Sequence, residues 1–110
     1  PSLLELVHDD KLSIEQLVNV TSHNVVQRFG ILGRGYLREG YWADVAIVDM
    51  HATTTDTPER VLYKCGWSPF DGIQFRSQIA TTIVNGHQVY AAGEILTQQN
   101  YGERLEFSSD

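Results

Sequence analysis

The sequence predicts an α+β fold, in which short amino-terminal helices are followed by a small, mainly antiparallel β-domain. Apolar residues recur at helical spacing only within the first 30 residues. From Gly33 onward, glycines and runs of β-forming residues replace that spacing. Asn85-Gly86 lies between two such runs, and a type I′ hairpin turn needs positive φ at both central residues. These observations divide the chain into a helical segment, 1–32, and a β-domain, 33–110.

Two short helices and a third with its own cap are predicted in the helical segment. Leucine and valine side chains between Leu3 and Val7 form one apolar stripe. Ser13 and Gln16 have the spacing of a capping box at the start of the second helix. Asn24 can cap a third helix, and Gly30 provides its carboxy-terminal stop.

Strands are predicted from residue 43 onward. The run 43–49 is almost continuously apolar, which predicts a strand buried on both faces. A surface loop at 51–59 separates it from a hairpin at 79–90. Residues 91–96 either continue the second hairpin strand or add another, and 105–107 can form a last short strand.

Composition narrows the classes of function. The chain has 110 residues, 42% of them hydrophobic, and a net charge of −6 with the basic residues scattered singly. Nucleic-acid binding needs clustered Lys and Arg, so it is not expected. A single Cys excludes an internal disulfide framework, and no apolar run has the length of a membrane span. We therefore expect a cytoplasmic protein that does not enter the membrane.

The start of the chain carries a separate expectation. Pro1 is not an initiator Met, and the helical pattern is already present in the next few residues. We expect the chain to be a piece of a longer protein whose amino-terminal portion is missing.

The histidines are the first candidates for metal ligands. Zinc sites usually need three or four convergent His, Cys or carboxylate groups. No two histidines share a ligand spacing such as i, i+4 on a helix, so structural or surface roles are favoured for all four: His8, His23, His51 and His87. We predict no metal, cofactor-binding or catalytic residue in this chain.

The remaining nucleophiles and carboxylates lack the partners that chemistry needs. Cys65 has no recognisable His or Asp partner and is predicted to be a buried or half-buried packing thiol. Ser68 has no general base in sight. Asp44 and Asp49 bracket a strand and are interpreted as strand-end and turn residues. Gly33-x-Gly35 is too short for a phosphate-binding loop.

The corner 67–70, Trp-Ser-Pro-Phe, has two interpretations. It can shape a substrate cavity or subunit contact, or it can be an aromatic plug between two parts of the protein. Pro69 fixes its own φ and pushes Ser68 toward extended conformations. Packing is favoured, because large rings bury much area.

These motifs resemble the carboxy-terminal region of the amidohydrolase superfamily. The stretch 35–49, with Gly40 and Ala43-Asp44 before a hydrophobic strand, is similar to that superfamily's Gly-x-x-Ala-Asp strand. The hairpin 79–90 is similar to its closing hairpin. The block 64–72, Lys-Cys-Gly-Trp-Ser-Pro-Phe-Asp-Gly, most closely resembles the dihydroorotases among the cyclic amidohydrolases.

The resemblance implies a zinc hydrolase that interconverts dihydroorotate and N-carbamoyl-aspartate in pyrimidine biosynthesis. In that family the metals lie inside a (β/α)8 (TIM) barrel, held by a His-x-His, a carboxylated Lys, two further His and an Asp. This chain contains no His-x-His. Segment 1–32 then corresponds to the last barrel helices, and 33–110 to part of a composite β-sandwich. The expected partner is the missing barrel portion, with zinc in the parent and none in this chain, which is expected to be inactive alone.

Two alternatives remain open. One is a cyclic amidohydrolase of the hydantoinase or allantoinase type. The other is a non-catalytic structural module that self-associates through open strand edges, because unpaired edges are pairing sites.

Overall fold

The computed structural model describes residues 1–109. It contains a helical segment, a four-stranded antiparallel sheet and a separate two-stranded sheet. The α-helices precede all strands, as the α+β prediction requires.

Helices α1 (Ser2–His8) and α2 (Ile14–Val18) begin the chain. Ser13 caps α2: its Oγ accepts a hydrogen bond from the Gln16 N–H at 3.1 Å, and the Gln16 Oε1 accepts one from the Ser13 N–H at 2.8 Å. The predicted capping box is confirmed, because both reciprocal bonds are made.

The third helix is not separate. Helix α2 continues into a π-helical segment (Asn19–His23) and then into α3 (Asn24–Phe29). The predicted cap at Asn24 is wrong, since this residue has helical angles, φ −64° and ψ −35°, and the helix makes no side-chain cap. Thr21 Oγ1 instead donates to the Leu17 carbonyl at 2.7 Å, so a polar residue is accommodated inside the helix. Gly30 ends it with φ +63°, as predicted.

Six strands follow. They are β1 (Val45–Asp49), β2 (Thr54–Thr55), β3 (Gln74–Phe75), β4 (Gln78–Val84), β5 (His87–Ala91) and β6 (Glu94–Ile95). The larger sheet has the order β1-β4-β5-β6, and β2 pairs with β3. A short 3₁₀ helix, Pro58–Arg60, lies in the loop between β2 and β3. Every strand pair is antiparallel.

Two tight turns connect the last three strands. Val84 pairs with His87 around Asn85 (φ +49°) and Gly86 (φ +82°), so the predicted hairpin is confirmed. The open question about residues 91–96 is answered by a separate strand, β6, which pairs with β5. The turn before it also has positive φ at both central residues, Ala92 (+51°) and Gly93 (+88°).

The prediction that β1 is buried on both faces is wrong for this chain. Ile47 in the middle of β1 is 48% exposed. None of the residues in β1, β4, β5 or β6 is buried, because the sheet is a single layer with neither face fully covered. The apolar side chains of this run therefore form a surface that is left partly exposed within this chain and that another segment would have to cover.

The carboxy-terminal residues do not add a strand to either sheet. Phe107 makes one antiparallel bridge with Ile31. The Leu32 N–H donates to the Glu106 carbonyl at 2.9 Å, and the Ser108 N–H donates to the Gly30 carbonyl at 2.7 Å. The predicted extended segment thus lies against the end of α3.

The chain exposes more surface than its size predicts. Its accessible surface is 8177 Å², whereas a compact monomer of this length exposes about 6,100 Å². Its radius of gyration is 15.5 Å, against roughly 13 Å for a compact domain of this length. The buried hydrophobic side chains are only Leu4, Val26 and Phe75. Among the described residues, no helix combines the length and the apolar character that crossing a membrane requires.

Candidate functional site

An apolar cleft of about 680 Å³ is the candidate site. It lies between the start of α1, one face of strands β4 to β6, and the loop that precedes β3. Its lining is mainly apolar, with a few polar groups at one side. The lining residues include Asp56, Ser68, Phe70, Phe75, Ile79 and Ile95.

A side-chain hydrogen bond orders the polar side of this cleft. Ser68 Oγ donates to the Asp56 carboxylate, and the Phe70 N–H donates to Ser68 Oγ at 3.1 Å. The Gly72 N–H also donates to the Asp56 carbonyl at 2.9 Å. Ser68 therefore fastens the corner 67–70 to the loop after β2. The hydrogen-bond partners given for Ser68 are the Asp56 carboxylate and the Phe70 N–H, and no histidine is among them.

The two aromatic residues of this corner have different surroundings. Phe70 packs edge to face on the buried Phe75, with ring centroids 5.7 Å apart. Trp67 is 64% exposed. Within this chain, the interpretation of the corner as a packing device therefore applies to Phe70. It does not apply to Trp67, whose indole faces solvent.

Cys65 is exposed, so the prediction of a buried or half-buried packing thiol is wrong. It lies in a surface turn in which the Gly66 N–H donates to the Tyr63 carbonyl at 3.2 Å. The residues around it, 62–67, are all exposed. The only contact of the thiol as a donor is the Trp67 carbonyl at 4.0 Å.

The four histidines occupy separate places. His8 is the last residue of α1, and His51 follows β1. The Nδ1 of His23 lies 2.7 Å from the Gly35 carbonyl oxygen, and its ring stacks on Tyr36 at 4.1 Å. His87 stacks on Tyr101 at 3.9 Å. Within residues 1–109, no three His, Cys, Asp or Glu side chains are grouped as metal ligands. The donor set of this chain therefore does not fit the zinc centre that the resemblance implies.

Asp44 and Asp49 act on backbone at strand ends, as interpreted from the sequence. Asp49 Oδ1 accepts from the N–H groups of His51 at 2.8 Å and Ala52 at 3.2 Å. Asp44 Oδ1 accepts from the Asn85 N–H at 2.9 Å. Both carboxylates therefore stabilise turns.

Asp44 also belongs to a polar network that closes the hairpin. Arg34 Nη1 donates to Asp44 Oδ2 and, at 2.9 Å, to Asn85 Oδ1. The Asn85 side-chain amide in turn donates to the Tyr101 carbonyl. The Arg34 side chain is only 10% exposed, and its guanidinium lies over the Trp42 ring, 5.3 Å from the centroid. One arginine therefore ties the start of β1 to the hairpin turn.

A second network centres on Arg76, between β3 and β4. Its backbone N–H and its Nε donate to the two Glu5 carboxylate oxygens at 2.6 and 2.8 Å. Its Nη2 donates to Asp9 Oδ1 at 2.5 Å. The hydrogen bonds from Arg76 lower the pKa of Glu5 and of Asp9 below their ordinary values, and those bonds raise the pKa of Arg76.

Neither arginine could be identified from the sequence as the centre of a polar network. Arg34 and Arg76 are isolated cations in the sequence, and each has a partner that is distant along the chain, 51 residues from Arg34 to Asn85 and 71 from Arg76 to Glu5. The available signal is the i, i+4 spacing of Glu5 and Asp9, which puts both carboxylates on one face of α1.

Comparison with known proteins gives concordant results. The chain is 34% identical over 96 residues to an allantoinase of Desulfitobacterium hafniense, covering 87% of this chain and 21% of the allantoinase. It is 30% identical over 105 residues to a dihydroorotase of Pyrococcus furiosus, covering 96% of this chain and 25% of that enzyme. The chain thus spans about a fifth to a quarter of the length of these relatives.

The same relationship holds for the fold. The chain superposes on the L-hydantoinase of Arthrobacter aurescens with a TM-score of 0.80 and 31% sequence identity, covering 90% of this chain and 22% of the hydantoinase. Residues 6–90 match the profile described as "Amidohydro_3: Amidohydrolase family". This match includes the Gly-x-x-Ala-Asp strand and the whole closing hairpin. The chain belongs to the amidohydrolase family.

Proposed function

We propose that this chain is the carboxy-terminal part of a cyclic amidohydrolase that interconverts dihydroorotate and N-carbamoyl-aspartate in pyrimidine biosynthesis. Family membership and similarity to a dihydroorotase along 96% of the chain support the reaction class. The block 64–72 favours dihydroorotate over other cyclic amides. In this proposal residues 1–32 are the last helices of a TIM barrel, and 33–110 are part of the β-domain beside it.

The observation that carries the proposal is the excess of exposed surface. The 8177 Å² of accessible area exceeds the expectation for a compact monomer by about 2,000 Å². An obligate interface removes surface of this order from each partner. Large apolar side chains are exposed on β1 and on the helices, and others line the cleft. The remainder of the parent polypeptide is the partner that we propose for this surface.

The chain's own residues then have a scaffolding role. Arg34 and Asp44 hold the hairpin, and Ser68 holds the corner beside the cleft. No catalytic step is assigned to residues 1–109, because their donor set does not fit a metal centre. The zinc of the parent enzyme is accordingly proposed to be bound by residues outside this chain.

Sequence identity to an allantoinase favours a second candidate substrate, a different cyclic amide. An allantoinase of Rubrobacter xylanophilus is 36% identical to the chain over 98 residues, a higher identity than the 30% of the Pyrococcus furiosus dihydroorotase. The structural similarity is to an L-hydantoinase. Hydrolysis of allantoin or of a hydantoin is therefore the alternative within the same reaction class.

The test is a substrate panel on the intact source protein. Its mass is measured first, and a parent several times longer than 110 residues is expected. The parent with zinc and the 110-residue chain are then each assayed with dihydroorotate, allantoin and a simple hydantoin. We expect dihydroorotate turnover by the parent and none by the chain. Turnover of allantoin or hydantoin alone would favour the alternative, and a native protein of 110 residues would contradict the proposal.

A non-catalytic structural module is the competing class. This alternative predicts that the parent protein hydrolyses none of the three cyclic amides in the panel. The panel therefore separates an enzyme from a structural protein as well as one cyclic amide from another.

A further inference from the structure

We propose that Arg76 is a latch that holds helix α1 as one wall of the apolar cleft, and that α1 opens as a unit when the latch is removed. The proposal concerns this chain's own conformational stability and does not depend on which ring the parent enzyme hydrolyses. It rests on four features of α1 and of the residues around Arg76.

Helix α1 occupies a position at which its movement changes the cleft. Pro1 and Ser2, at its start, line the cleft together with Phe75 and Ile79. Displacement of α1 would therefore remove part of one wall and leave the face formed by the strands in place.

Apolar packing holds α1 weakly. Leu4 is the only residue of the helix that is buried. Leu3 is 50% exposed, and Leu6 is exposed as well. A helix of seven residues is not stable on its own in water, so α1 depends on its tertiary contacts.

The polar contacts of α1 with the β-domain converge on one residue, which makes two of them through its side chain and one through its backbone N–H. Within the part of the chain that the structure describes, Arg76 makes every hydrogen bond between the segment 2–12 and the β-domain. It binds both oxygens of Glu5 and one oxygen of Asp9, at distances of 2.5 to 2.8 Å. Such charge-assisted, forked contacts are stronger than ordinary hydrogen bonds.

The latch is fixed at one end and free to open at the other. Arg76 lies between Phe75, which is buried, and Ser77, which has no exposed surface. On the opposite side, the link between α1 and α2 turns at Asp10, whose φ of +55° is left-handed, a conformation that Asp adopts more readily than most non-glycine residues. This link is the point about which α1 would open while the β-domain keeps its contacts.

The other charged groups at this position are His8 and Lys11. Both are cations or potential cations beside the carboxylates, and both act to lower the pKa of Asp9. Lys11 lies 3.8 Å from Asp9 Oδ2, at the limit of an ion pair. Neither makes a hydrogen bond to the β-domain, so they support the charge of the carboxylates without replacing the latch.

Hydrogen exchange on the full chain tests the proposal. In Arg76→Gln, amide exchange of residues 2–8 is expected to accelerate about tenfold, while exchange of β4 and β5 stays within a factor of two. Lys64→Gln removes one positive charge from an exposed residue and is the matched control. Arg76→Lys is expected to lie between the wild type and Arg76→Gln, because an ammonium group cannot reproduce the guanidinium fork.

Two results would overturn the latch. One is exchange of α1 in Arg76→Gln that equals exchange in Lys64→Gln. The other is equal acceleration in α1 and β4, which would make Arg76 a residue of global stability. If Arg76→Gln does not fold, Asp9→Asn decides, because it removes only one arm. Faster exchange confined to α1 supports the latch, and unchanged exchange overturns it.

Discussion

Arg34 is the residue whose surroundings explain most about the family motif at the start of β1. Its guanidinium reaches Asp44, the last residue of Gly-x-x-Ala-Asp, and Asn85 at the tip of the hairpin. Both contacts are made by a side chain that is nearly removed from water. A partly buried charge pair is costly to break, because the remaining partner is left without its counter-charge.

We expect Arg34→Gln to lower the free energy of unfolding by about 2 kcal/mol, since it leaves Asp44 unpaired and loosens the hairpin tip. Urea denaturation measures the change. Arg104→Gln carries the same change of charge on an exposed residue and is expected to cost less than about 0.5 kcal/mol. Equal costs for the two variants would show that the Arg34 network does not stabilise the fold.

For single residues, the sequence predicted the role of a side chain better than it predicted which distant residue the side chain contacts. Asp44 and Asp49 were interpretable as turn residues because an Asp binds backbone N–H groups close to it in sequence. The arginines were not interpretable, because each makes a contact that bridges 51 or more residues and depends on the assembled fold. The exposure of Cys65 was missed for a related reason: a cysteine is usually buried, whereas the turn that holds this one is exposed throughout.

Among the elements, the two turns of the larger sheet form a natural pair. Asn85-Gly86 and Ala92-Gly93 both have positive φ at each central residue. Asn tolerates left-handed angles through its short polar side chain, whereas Ala has no such compensation. The second turn therefore carries a backbone cost that the first avoids.

Ala92→Asn should raise stability, because it gives the second turn the dipeptide of the first. The expected gain is about 1 kcal/mol, close to the cost of one left-handed residue. Thermal or urea unfolding measures it. Gly93→Ala is the opposite change at a φ of +88° and should destabilise by about 1–2 kcal/mol. A loss of stability in Ala92→Asn would show that the turn is not strained.

Helix α1 should be sensitive to acid. The hydrogen bonds from Arg76 hold the pKa values of Glu5 and Asp9 below the ordinary 4.5 and 3.8. A carboxyl with a lowered pKa stabilises the folded state above its unfolded pKa, and this contribution is lost as the pH falls through the folded pKa. Exchange protection of α1, corrected for intrinsic rates, should therefore be constant near neutrality and fall in acid below pH 4.5.

Asp9→Asn provides the check on this pH dependence. With one of the two carboxyls removed, the acid-induced loss of α1 protection should become smaller than in the wild type. A pH dependence identical to that of the wild type would mean that Asp9 does not contribute to holding the helix.

Local signals decided which elements were predictable. The capping box at Ser13 and the turn at Asn85-Gly86 are determined by residues a few positions apart, and both are confirmed. The helix break at Asn24 was predicted from the same kind of signal, but the π-helical segment leads directly into α3 there without a break. A residue that can cap a helix therefore does not by itself begin one when the preceding turn is already helical.

For the whole molecule, the most informative property is how much of the apolar surface is covered within the chain and how much is left exposed. The run 43–49 has the apolar character of a strand covered on both sides, yet its centre is half exposed. Sequence could predict that such a strand is made to be covered. It could not identify the cover, because covering surfaces come from distant parts of a polypeptide.

The outer edge of β1 is expected to mediate self-association of the isolated chain. Strand β1 is at the end of the sheet order, and an unpaired apolar edge recruits other strands. Sedimentation should show a mass that rises with concentration, and Ile47→Lys should reduce this rise. Leu37→Lys changes an exposed leucine outside the strands and serves as the control. A strictly monomeric wild-type chain would argue against an open edge.

The exposed indole beside the cleft has a practical consequence. The chain has two tryptophans: Trp42 lies under the Arg34 guanidinium and is 50% exposed, and Trp67 is 64% exposed at the ordered corner. Trp67 is therefore a built-in fluorophore at the surface where we propose that the rest of the parent polypeptide docks. A shift of its emission to shorter wavelength on mixing with that portion, absent in Trp67→Phe, would report docking without any label.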